Sequence, residues 1–234
     1  MPVFYDTHAH LDYPDFAPDF EQVIERAKTA GIQKIISIGT DLDSSRRAIQ
    51  LAEKYSCIYA VAGWHPSDVM RAPEDIREAL RELGRHPRVV ALGETGLDYH
   101  RLPSSQQPEL TAADDEQYKQ KQAALFRQHL EVAAELKLNC VIHQRDALED
   151  TLAQLQPFAD RLRGVFHCFA NDAATMKRIV AMNSLVSFTG IATFKNGQNV
   201  RDTLAATPLG QFMLETDCPY LAPVPYRGKR CEPA

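Results

Sequence analysis

The 234-residue sequence lacks two patterns that would assign it to common classes of protein. It has five cysteines but no CxxC pair, and most of them lie inside apolar runs, so reduced core cysteines are predicted rather than disulfides or zinc ligands. It also has no GxGxxG fingerprint after its first apolar run, and a dinucleotide-binding loop is therefore not expected.

Long apolar segments and an excess of positive charge are also absent. No stretch approaches the roughly 18 apolar residues of a membrane span, and Asp6 and His8 interrupt the only apolar run near the N-terminus, so neither a membrane segment nor a secretory signal is predicted. The balance of 26 basic against 31 acidic side chains gives a net charge of −5. Because no positive field covers the whole protein, we expect metal ions or local basic groups to bind any phosphate. Because neither a signal nor a membrane segment is predicted, we expect a cytoplasmic protein. Nothing in the sequence points to a protein partner.

Short apolar or β-branched runs recur along the chain and alternate with amphipathic helical patterns. The predicted strands are 3–7, 34–39, 57–62, 89–93, 139–142, 164–167, 185–188 and 212–216. Eight strands that alternate with helices predict one α/β domain, residues 1–234, with the architecture of a (β/α)₈ TIM-like barrel. A doubly wound open sheet would give a similar alternation, but its dinucleotide fingerprint is missing.

Capping residues and breakers locate three helices and one long loop. We expect a helix capped by Asp43 and Ser44 that runs to Tyr55, a helix from Pro73 to Gly84, and a helix from Asp115 to Leu138. The segment His100–Asp115 is rich in Pro, Ser and Gln and has no periodicity. It is expected to overhang the mouth of the barrel or to be a disordered surface insertion.

A His-Ala-His step ends the first predicted strand. Because alternate residues of a strand face the same side, His8 and His10 present two nitrogen donors to one metal ion. Active groups of a barrel lie at the C-terminal ends of its strands. Four further strands end in a histidine or a carboxylate, namely Glu94, His143, His167 and Asp217. Each alone is more often a structural residue or a helix cap, but together they predict a metal site.

The number and type of these six donors predict two ions rather than one. Six nitrogen and oxygen donors exceed the four ligands of a closed tetrahedral zinc site, and no cysteine is among them. Two ions that share a bridging carboxylate lower the pKa of a bridging water and stabilise the attacking and leaving oxygens of a displacement. We therefore expect hydrolysis with two divalent ions. Mg²⁺, Mn²⁺ and Zn²⁺ all accept such donors, so the metal stays open.

Seven segments also carry a family resemblance. In order along the chain they are "DTHAHLD", "GWHP", "LGETGLDY", "VIHQRDA", "GVFHCF", "TGIATFKN" and "ETDCPYLAP". They resemble the motifs of the TatD family of metal-dependent deoxyribonucleases, a branch of the amidohydrolase superfamily of barrels. The resemblance spans almost the whole chain and implies DNA, single-stranded or at its ends, as substrate. It further implies that one metal is held by His8, His10, Glu94 and Asp217, and that Glu94 bridges to a second metal held by His143 and His167.

Position and charge suggest roles around the metals. A hydroxide bridging the two ions would attack phosphorus or a carbonyl carbon, with Asp217 as the general base and Glu94 as the bridging carboxylate. Asp98 in "GLDY" is expected to orient a metal-bound imidazole. The resemblance implies that His65 of "GWHP" faces the substrate phosphate, and a supporting hydrogen bond is the alternative for this residue.

Four basic residues are candidates for binding substrate phosphates. Arg145 and Lys195 are expected to end strands five and seven. Arg227 and Lys229 belong to the "YRGKR" run that follows the Asp217 strand. Solvated surface charges are the alternative for all four residues.

The sequence thus predicts a metal-dependent hydrolase, most simply a deoxyribonuclease that cleaves phosphodiester bonds at DNA ends. A carbonyl hydrolase of the same superfamily, acting for example on an aminoacyl ester, is the alternative, because the same activated water attacks either electrophile. The third hypothesis is an inactive, C-terminally truncated binding protein. It arises because only seventeen residues follow Asp217 and none of them predicts the final helix of a barrel. Either residues are missing, or an apolar groove beside the last strand is left open.

Overall fold

Eight parallel strands form one sheet in the order of the chain. The computed structural model describes residues 3–234. The strands are β1 (Phe4–Ala9), β2 (Ile32–Ile38), β3 (Ile58–Ala62), β4 (Val89–Asp98), β5 (Asn139–Arg145), β6 (Gly164–Phe166), β7 (Leu185–Phe188) and β8 (Phe212–Leu214). This arrangement confirms the predicted (β/α)₈ barrel.

Helices follow seven of the eight strands. They are α1 (Phe20–Thr29), α2 (Leu42–Lys54), α3 (Arg77–Gly84), α4 (Pro103–Gln106), α5 (Ala112–Leu136), α6 (Leu148–Leu155), α7 (Ala173–Ala181) and α8 (Gln198–Ala206). No helix lies in residues 215–234, as the sequence predicts, and Phe4 and Tyr5 in β1 and Leu214 in β8 are exposed. None of the helices in residues 3–234 is long and apolar enough to cross a membrane.

The barrel closes where β1 meets the segment after β8. The backbone N–H of Asp217 donates to the carbonyl of His8 at 2.9 Å, and the N–H of His10 donates to the carbonyl of Cys218 at 2.8 Å. The Thr216 hydroxyl donates to the buried Asp6 carboxylate at 2.7 Å. We call this closure the seam. It places the His-Ala-His step directly beside Asp217.

The start of α2 differs from the prediction by two residues. Asp41 is the N-cap, and its carboxylate accepts a hydrogen bond from the backbone N–H of Ser44 at 2.7 Å. The Ser44 hydroxyl accepts in return from the backbone N–H of Asp41 at 3.0 Å. The predicted cap at Asp43 and Ser44 is therefore wrong, because Ser44 is the third helical residue of a capping box.

Helices α3 and α5 and the long loop between β4 and α5 also differ from the predictions. The helix predicted from Pro73 begins at Arg77, although it ends at Gly84 as expected. The segment predicted to be a long aperiodic loop contains α4, and α5 already begins at Ala112. Ser104 donates to Asp115 from its backbone N–H at 2.8 Å and from its hydroxyl at 2.6 Å, so the loop is held by hydrogen bonds to α5.

Helix α5 packs firmly on the barrel through an apolar face that includes the fully buried Phe126 and Leu130. Burial of each such side chain contributes about 1.5–3 kcal/mol. Helix α5 also carries the buried polar side chains Gln122, Gln128 and His129. Because apolar burial fixes the helix, these polar groups are held at defined positions behind the strand ends.

Candidate metal centre

The six predicted donors meet at the C-terminal end of the barrel. Their strands place them there: His8 lies in β1 and His10 just after it, His143 lies in β5, His167 follows β6, and Asp217 comes three residues after β8. Glu94 was expected after strand four but lies inside it, because β4 continues to Asp98 instead of ending at residue 93. All six side chains are buried or nearly so.

One oxygen of Glu94 faces His8, His10 and Asp217, which we call the Asp217 set. Glu94 Oε2 lies 3.3 Å from His8 Nε2 and 3.7 Å from His10 Nε2. Asp217 Oδ1 lies 3.7 Å from His8 Nε2 and 3.3 Å from His10 Nε2. Two imidazole nitrogens and two carboxylate oxygens therefore surround one small space.

The other oxygen of Glu94 faces His143 and His167, which we call the His143 set. Glu94 Oε1 lies 3.0 Å from His143 Nδ1 and 2.7 Å from His167 Nε2. These two nitrogens are 3.1 Å apart. A single carboxylate thus contacts two separate sets of donors.

Several of these buried atoms have no hydrogen-bond partner within residues 3–234. They are both ring nitrogens of His8, Nδ1 of His10, Nδ1 of His167 and Oε2 of Glu94. A buried polar atom without a partner costs about 1–3 kcal/mol. Donor atoms within 4.8 Å of one another form three groups of potential metal ligands, and all of these groups consist of histidines and carboxylates. The residues therefore fit divalent cations in both chemistry and placement.

The imidazoles lower the pKa of the neighbouring carboxyls, and the carboxylates raise the pKa of the neighbouring imidazoles. Burial alone would raise the pKa of Glu94, but His167, His65 and His8 hold the pKa of this carboxyl well below its ordinary value. Burial alone would lower the pKa of His167, but Glu94 and Glu215 hold the pKa of this imidazole well above its ordinary value. In the metal-free protein the site therefore balances carboxylates against protons on histidines, and a divalent cation would replace those protons.

Asp98 lies behind His143, on the side away from Glu94. Its Oδ2 is 3.0 Å from His143 Nε2. The side chain of Gln122 on α5 accepts from the backbone N–H of Asp98 at 3.0 Å and donates to the carbonyl of Asp98 at 3.1 Å. Helix α5 therefore holds Asp98, and Asp98 in turn orients His143.

Sequence reasoning missed Glu215, a buried carboxylate with the corresponding position behind His167. Its Oε1 lies 3.7 Å from His167 Nδ1 and accepts from the backbone N–H of Cys168 at 2.6 Å. Its Oε2 accepts from the buried Ser187 hydroxyl at 2.6 Å. The signal was present in the sequence, because Glu215 precedes Asp217 by two residues in the "ETD" motif.

His65 joins the same cluster. Its Nε2 lies 3.3 Å from Glu94 Oε1 and 3.4 Å from His143 Nδ1. Its Nδ1 accepts from the backbone N–H of Ser67 at 3.1 Å, and burial lowers the pKa of His65. The ring is therefore neutral with its proton on Nε2, which makes Nε2 a hydrogen-bond donor toward the site.

A glycine is required at position 96, two residues after Glu94. Gly96 has φ +137°, a conformation that L side chains rarely adopt, and a β-carbon there would overlap the carbonyl oxygen of His143. Close contact between β4 and β5 at this point brings Glu94 and His143 together.

Two cavities adjoin the donors. The larger, of about 510 Å³, is lined by His143, His167 and Asp217 together with Arg145 and Asn171. The smaller, of about 270 Å³, contains Glu94, His65 and His10 and is also bordered by Tyr13 and Tyr220.

The four basic candidates are placed differently from one another. Arg145 ends β5 and lines the larger cavity, as expected. Lys195 does not end strand seven: β7 stops at Phe188, a short 3₁₀-helix follows at Gly190–Thr193, and Lys195 is exposed outside both cavities.

The "YRGKR" run does not act as a single basic patch. The Arg227 guanidinium stacks 3.7 Å from the centre of the Phe194 ring, and the Lys229 ammonium lies over Tyr226 at 5.8 Å. The final arginine of the run, Arg230, pairs with Asp19 at 2.7 Å and with Glu232 at 2.6 Å.

Comparison with known proteins identifies the family. A family model described as TatD related DNase matches residues 5–234. The chain belongs to the TatD family. Among TatD-family relatives, an uncharacterized metal-dependent hydrolase, YabD of Bacillus subtilis, is 38% identical over 99% of this chain and 86% of its own length. A protein named 3′-5′ ssDNA/RNA exonuclease TatD from Citrobacter koseri is 34% identical over 94% of this chain and 80% of its own length.

A solved TatD-family structure agrees with the fold. The crystal structure of YJJV, a TatD homologue from Escherichia coli, has a TM-score of 0.85 and 30% sequence identity, and it covers 98% of this chain and 85% of its own. These comparisons show that the chain is a TatD-family metal-dependent hydrolase.

Proposed function

We propose that this chain is a divalent-metal-dependent deoxyribonuclease that cleaves phosphodiester bonds at the ends of single-stranded DNA. The observation that carries the proposal is the position of Glu94, whose two oxygens each face a different set of histidine and carboxylate donors. A relative at 34% identity named 3′-5′ ssDNA/RNA exonuclease supports nucleic acid as substrate. The five free cysteines are consistent with a reducing compartment such as the cytoplasm.

Two cations fit the two donor sets. The Asp217 set and Glu94 Oε2 would hold one, and the His143 set and Glu94 Oε1 would hold the other. Bound divalent cations lower the pKa of water and stabilise negative charge on phosphate oxygens.

The protein's own groups then complete the reaction. Asp217 Oδ1 lies beside His8 and His10, and Asp217 lines both cavities, so its carboxylate is placed to accept a proton from the attacking water. His65 donates from Nε2 to a phosphate oxygen. Asp98 orients His143, since this carboxylate fixes which ring nitrogen carries the proton, and the negative charge of Glu215, 3.7 Å from His167 Nδ1, favours the corresponding orientation of His167.

Basic residues neutralise the phosphates of the DNA strand. Arg145 is placed to act first, because it lines the cavity next to Asp217. Arg227, Lys229 and Lys195 are exposed and would contact phosphates further from the scissile bond. Rates at limiting DNA should therefore fall as salt rises.

The test uses DNA strands labelled at the 3′ or the 5′ end. We expect chelator-treated protein to be inactive and Mg²⁺, Mn²⁺ or Zn²⁺ to restore cleavage. Glu94→Gln should lose most of the rate, because a neutral amide bridges two cations poorly. Glu25→Gln, an exposed position on α1, is the matched control and should retain full activity. Full activity in excess chelator, or hydrolysis of aminoacyl esters without cleavage of any phosphodiester, would contradict the proposal.

A further inference from the structure

Two aromatic side chains that the proposed reaction does not use stand beside the metal donors. Tyr13 follows β1, and Tyr220 lies in the turn after Asp217, where its backbone N–H donates to the Asp217 carbonyl at 3.0 Å. Both border the smaller cavity. We call the pair the tyrosine corner.

The two tyrosine rings stand nearly perpendicular to each other beside His10. Tyr13 stacks on the His10 ring with 4.8 Å between centroids and an angle of 23°. Tyr220 stands at 80° to Tyr13, with 6.3 Å between centroids, and at 67° to His10 at 6.5 Å. Tyr13 and the His10 ring on which it stacks therefore form one wall of the cavity, and Tyr220 forms a second wall that is nearly perpendicular to the first.

Exposure distinguishes Tyr220 from a core aromatic. Tyr220 is 55% exposed, although its ring centroid lies only 6.5 Å from that of His10, which is 5% exposed. Both side chains are phenols, whose ordinary pKa of about 10 keeps them neutral at physiological pH. A large, neutral and rigid ring left open at the entrance offers a surface on which a planar group can stack.

We propose that the tyrosine corner is a stacking subsite for the unpaired terminal base of the nucleic acid whose phosphate is cleaved. The inference rests on the proposed nuclease function and adds a specificity element to it. A base reaches the corner only after leaving its own stack, so the subsite favours single strands and frayed ends over paired duplex. Since every base has a π-face, the subsite is tolerant of sequence.

The first experiment compares kinetics of Tyr220→Ala with those of wild type. Stacking of a base on an aromatic side chain is worth a factor of about ten or more in binding, so KM for a single strand ending in thymine should rise about tenfold. Tyr220→Phe keeps the ring and should behave as wild type. The matched control is Tyr5→Ala, because Tyr5 is also 55% exposed but is the second residue of β1, at the other end of the barrel.

The substrate provides an independent arm. A strand that ends in 5,6-dihydrothymine, whose ring is saturated and not planar, should have a raised KM with wild type but the same KM as a thymine strand with Tyr220→Ala. Loss of this discrimination in the variant, with an unchanged melting temperature, identifies a base contact rather than a structural role.

A spectroscopic arm avoids turnover. The fluorescence of a terminal 2-aminopurine is quenched when the base stacks, and we expect quenching on addition of Glu94→Gln protein with Mn²⁺. Quenching should be lost when Tyr220→Ala is added to this background and kept when Tyr220→Phe or Tyr5→Ala is added.

One result would overturn the tyrosine corner alone: wild type cleaves DNA, and Tyr220→Ala has the same KM and the same quenching as the protein with Tyr220. Absence of both cleavage and binding of DNA by wild type would overturn the proposed function and the corner with it.

Discussion

At the scale of single residues, each histidine of the site has one ring nitrogen that points away from Glu94. The hydrogen-bond partner of that nitrogen determines whether the other nitrogen carries a proton. His143 donates from Nε2 to Asp98, which leaves Nδ1 free to face Glu94. His65 has the reverse arrangement, because its Nδ1 accepts from Ser67 and its Nε2 carries the proton. The two neighbouring imidazoles therefore differ in which ring nitrogen is hydrogen-bonded outside the cluster, Nε2 in His143 and Nδ1 in His65, and so in which nitrogen each ring turns toward Glu94.

Glu215 provides a test of this logic. In Glu215→Gln the amide can still accept from Cys168 N–H and, at its other end, donate to the Ser187 hydroxyl, so the fold should persist while the negative charge beside His167 is lost. Outer partners of metal-binding histidines are typically worth about 10–100-fold in metal affinity. We expect Mn²⁺ or Zn²⁺ to bind the variant that much more weakly in calorimetric titration. Glu149→Gln, an exposed carboxylate on α6, is the control. Equal affinities for wild type and Glu215→Gln would show that Glu215 does not position His167.

The convergence of the six candidate donors, and the position of Asp98 beside one of their imidazoles, could be predicted from the sequence, whereas the position of Glu215 could not. His8, His143 and Asp217 could be found because strand ends converge in a barrel, and strand ends are visible as the ends of apolar runs. The role of Glu215 depends on which atom faces His167 Nδ1 across the gap between β6 and β8. One-dimensional patterns carry no such information, and Glu215 therefore looked like any acidic residue beside a motif.

At the scale of elements, α5 connects the segments of chain that carry site residues after β3 and within β4. His129 Nε2 accepts from the backbone N–H of Trp64, next to His65, at 3.0 Å. Its Nδ1 donates to the Leu125 carbonyl at 2.8 Å and lies 3.1 Å from the hydroxyl of Thr95, next to Glu94. One buried neutral imidazole thus fixes the segments beside two site residues.

This arrangement predicts an acid sensitivity. Burial lowers the pKa of His129 from 6.5 to about 4. Between these values the unfolded chain binds a proton that the folded chain does not, so the free energy of unfolding decreases as the pH falls from 6.5 towards 4, by up to about 1.4 kcal/mol per pH unit from this group. Urea denaturation of chelator-treated protein at several pH values should show a shallower decline for His129→Gln than for wild type. Parallel declines would contradict the predicted contribution.

Helix α5 also shows which features of an element the sequence carries. Apolar residues at helical spacing, such as Phe126 and Leu130, predicted the helix itself. Its start was missed because Thr111 and Asp114 form a capping box three residues before the expected beginning at Asp115. Its polar contacts with β3 and β4 loops could not be predicted, because buried glutamine and histidine on an apolar face have no distinctive periodicity.

At the scale of the whole molecule, eight strands alternating with helices, together with the missing dinucleotide fingerprint of a doubly wound sheet, were enough to predict the barrel. Strand order follows the chain, so no crossover had to be guessed. The seam was harder to foresee, since only an isolated bridge between Ala9 and Cys218 and a few hydrogen bonds connect the last strand to the first. Asp217 reaches its position there with φ +57°, a left-handed conformation that sequence alone does not assign to aspartate.

The seam also dictates an order of events during folding. The residues that it joins are far apart along the chain, for example 210 positions between Asp6 and Thr216. Closing so long a loop costs about 5 kcal/mol beyond a constant, so a contact of this kind forms late.

The Asp217 set has two histidines on one side of the seam and a carboxylate on the other. Metal uptake should therefore become possible only in the last step of refolding. On dilution from urea in the presence of Zn²⁺ and a chromophoric indicator, metal uptake should lag behind recovery of helical circular dichroism. Simultaneous recovery of both signals would show that the two ends of the barrel meet as early as its helices form.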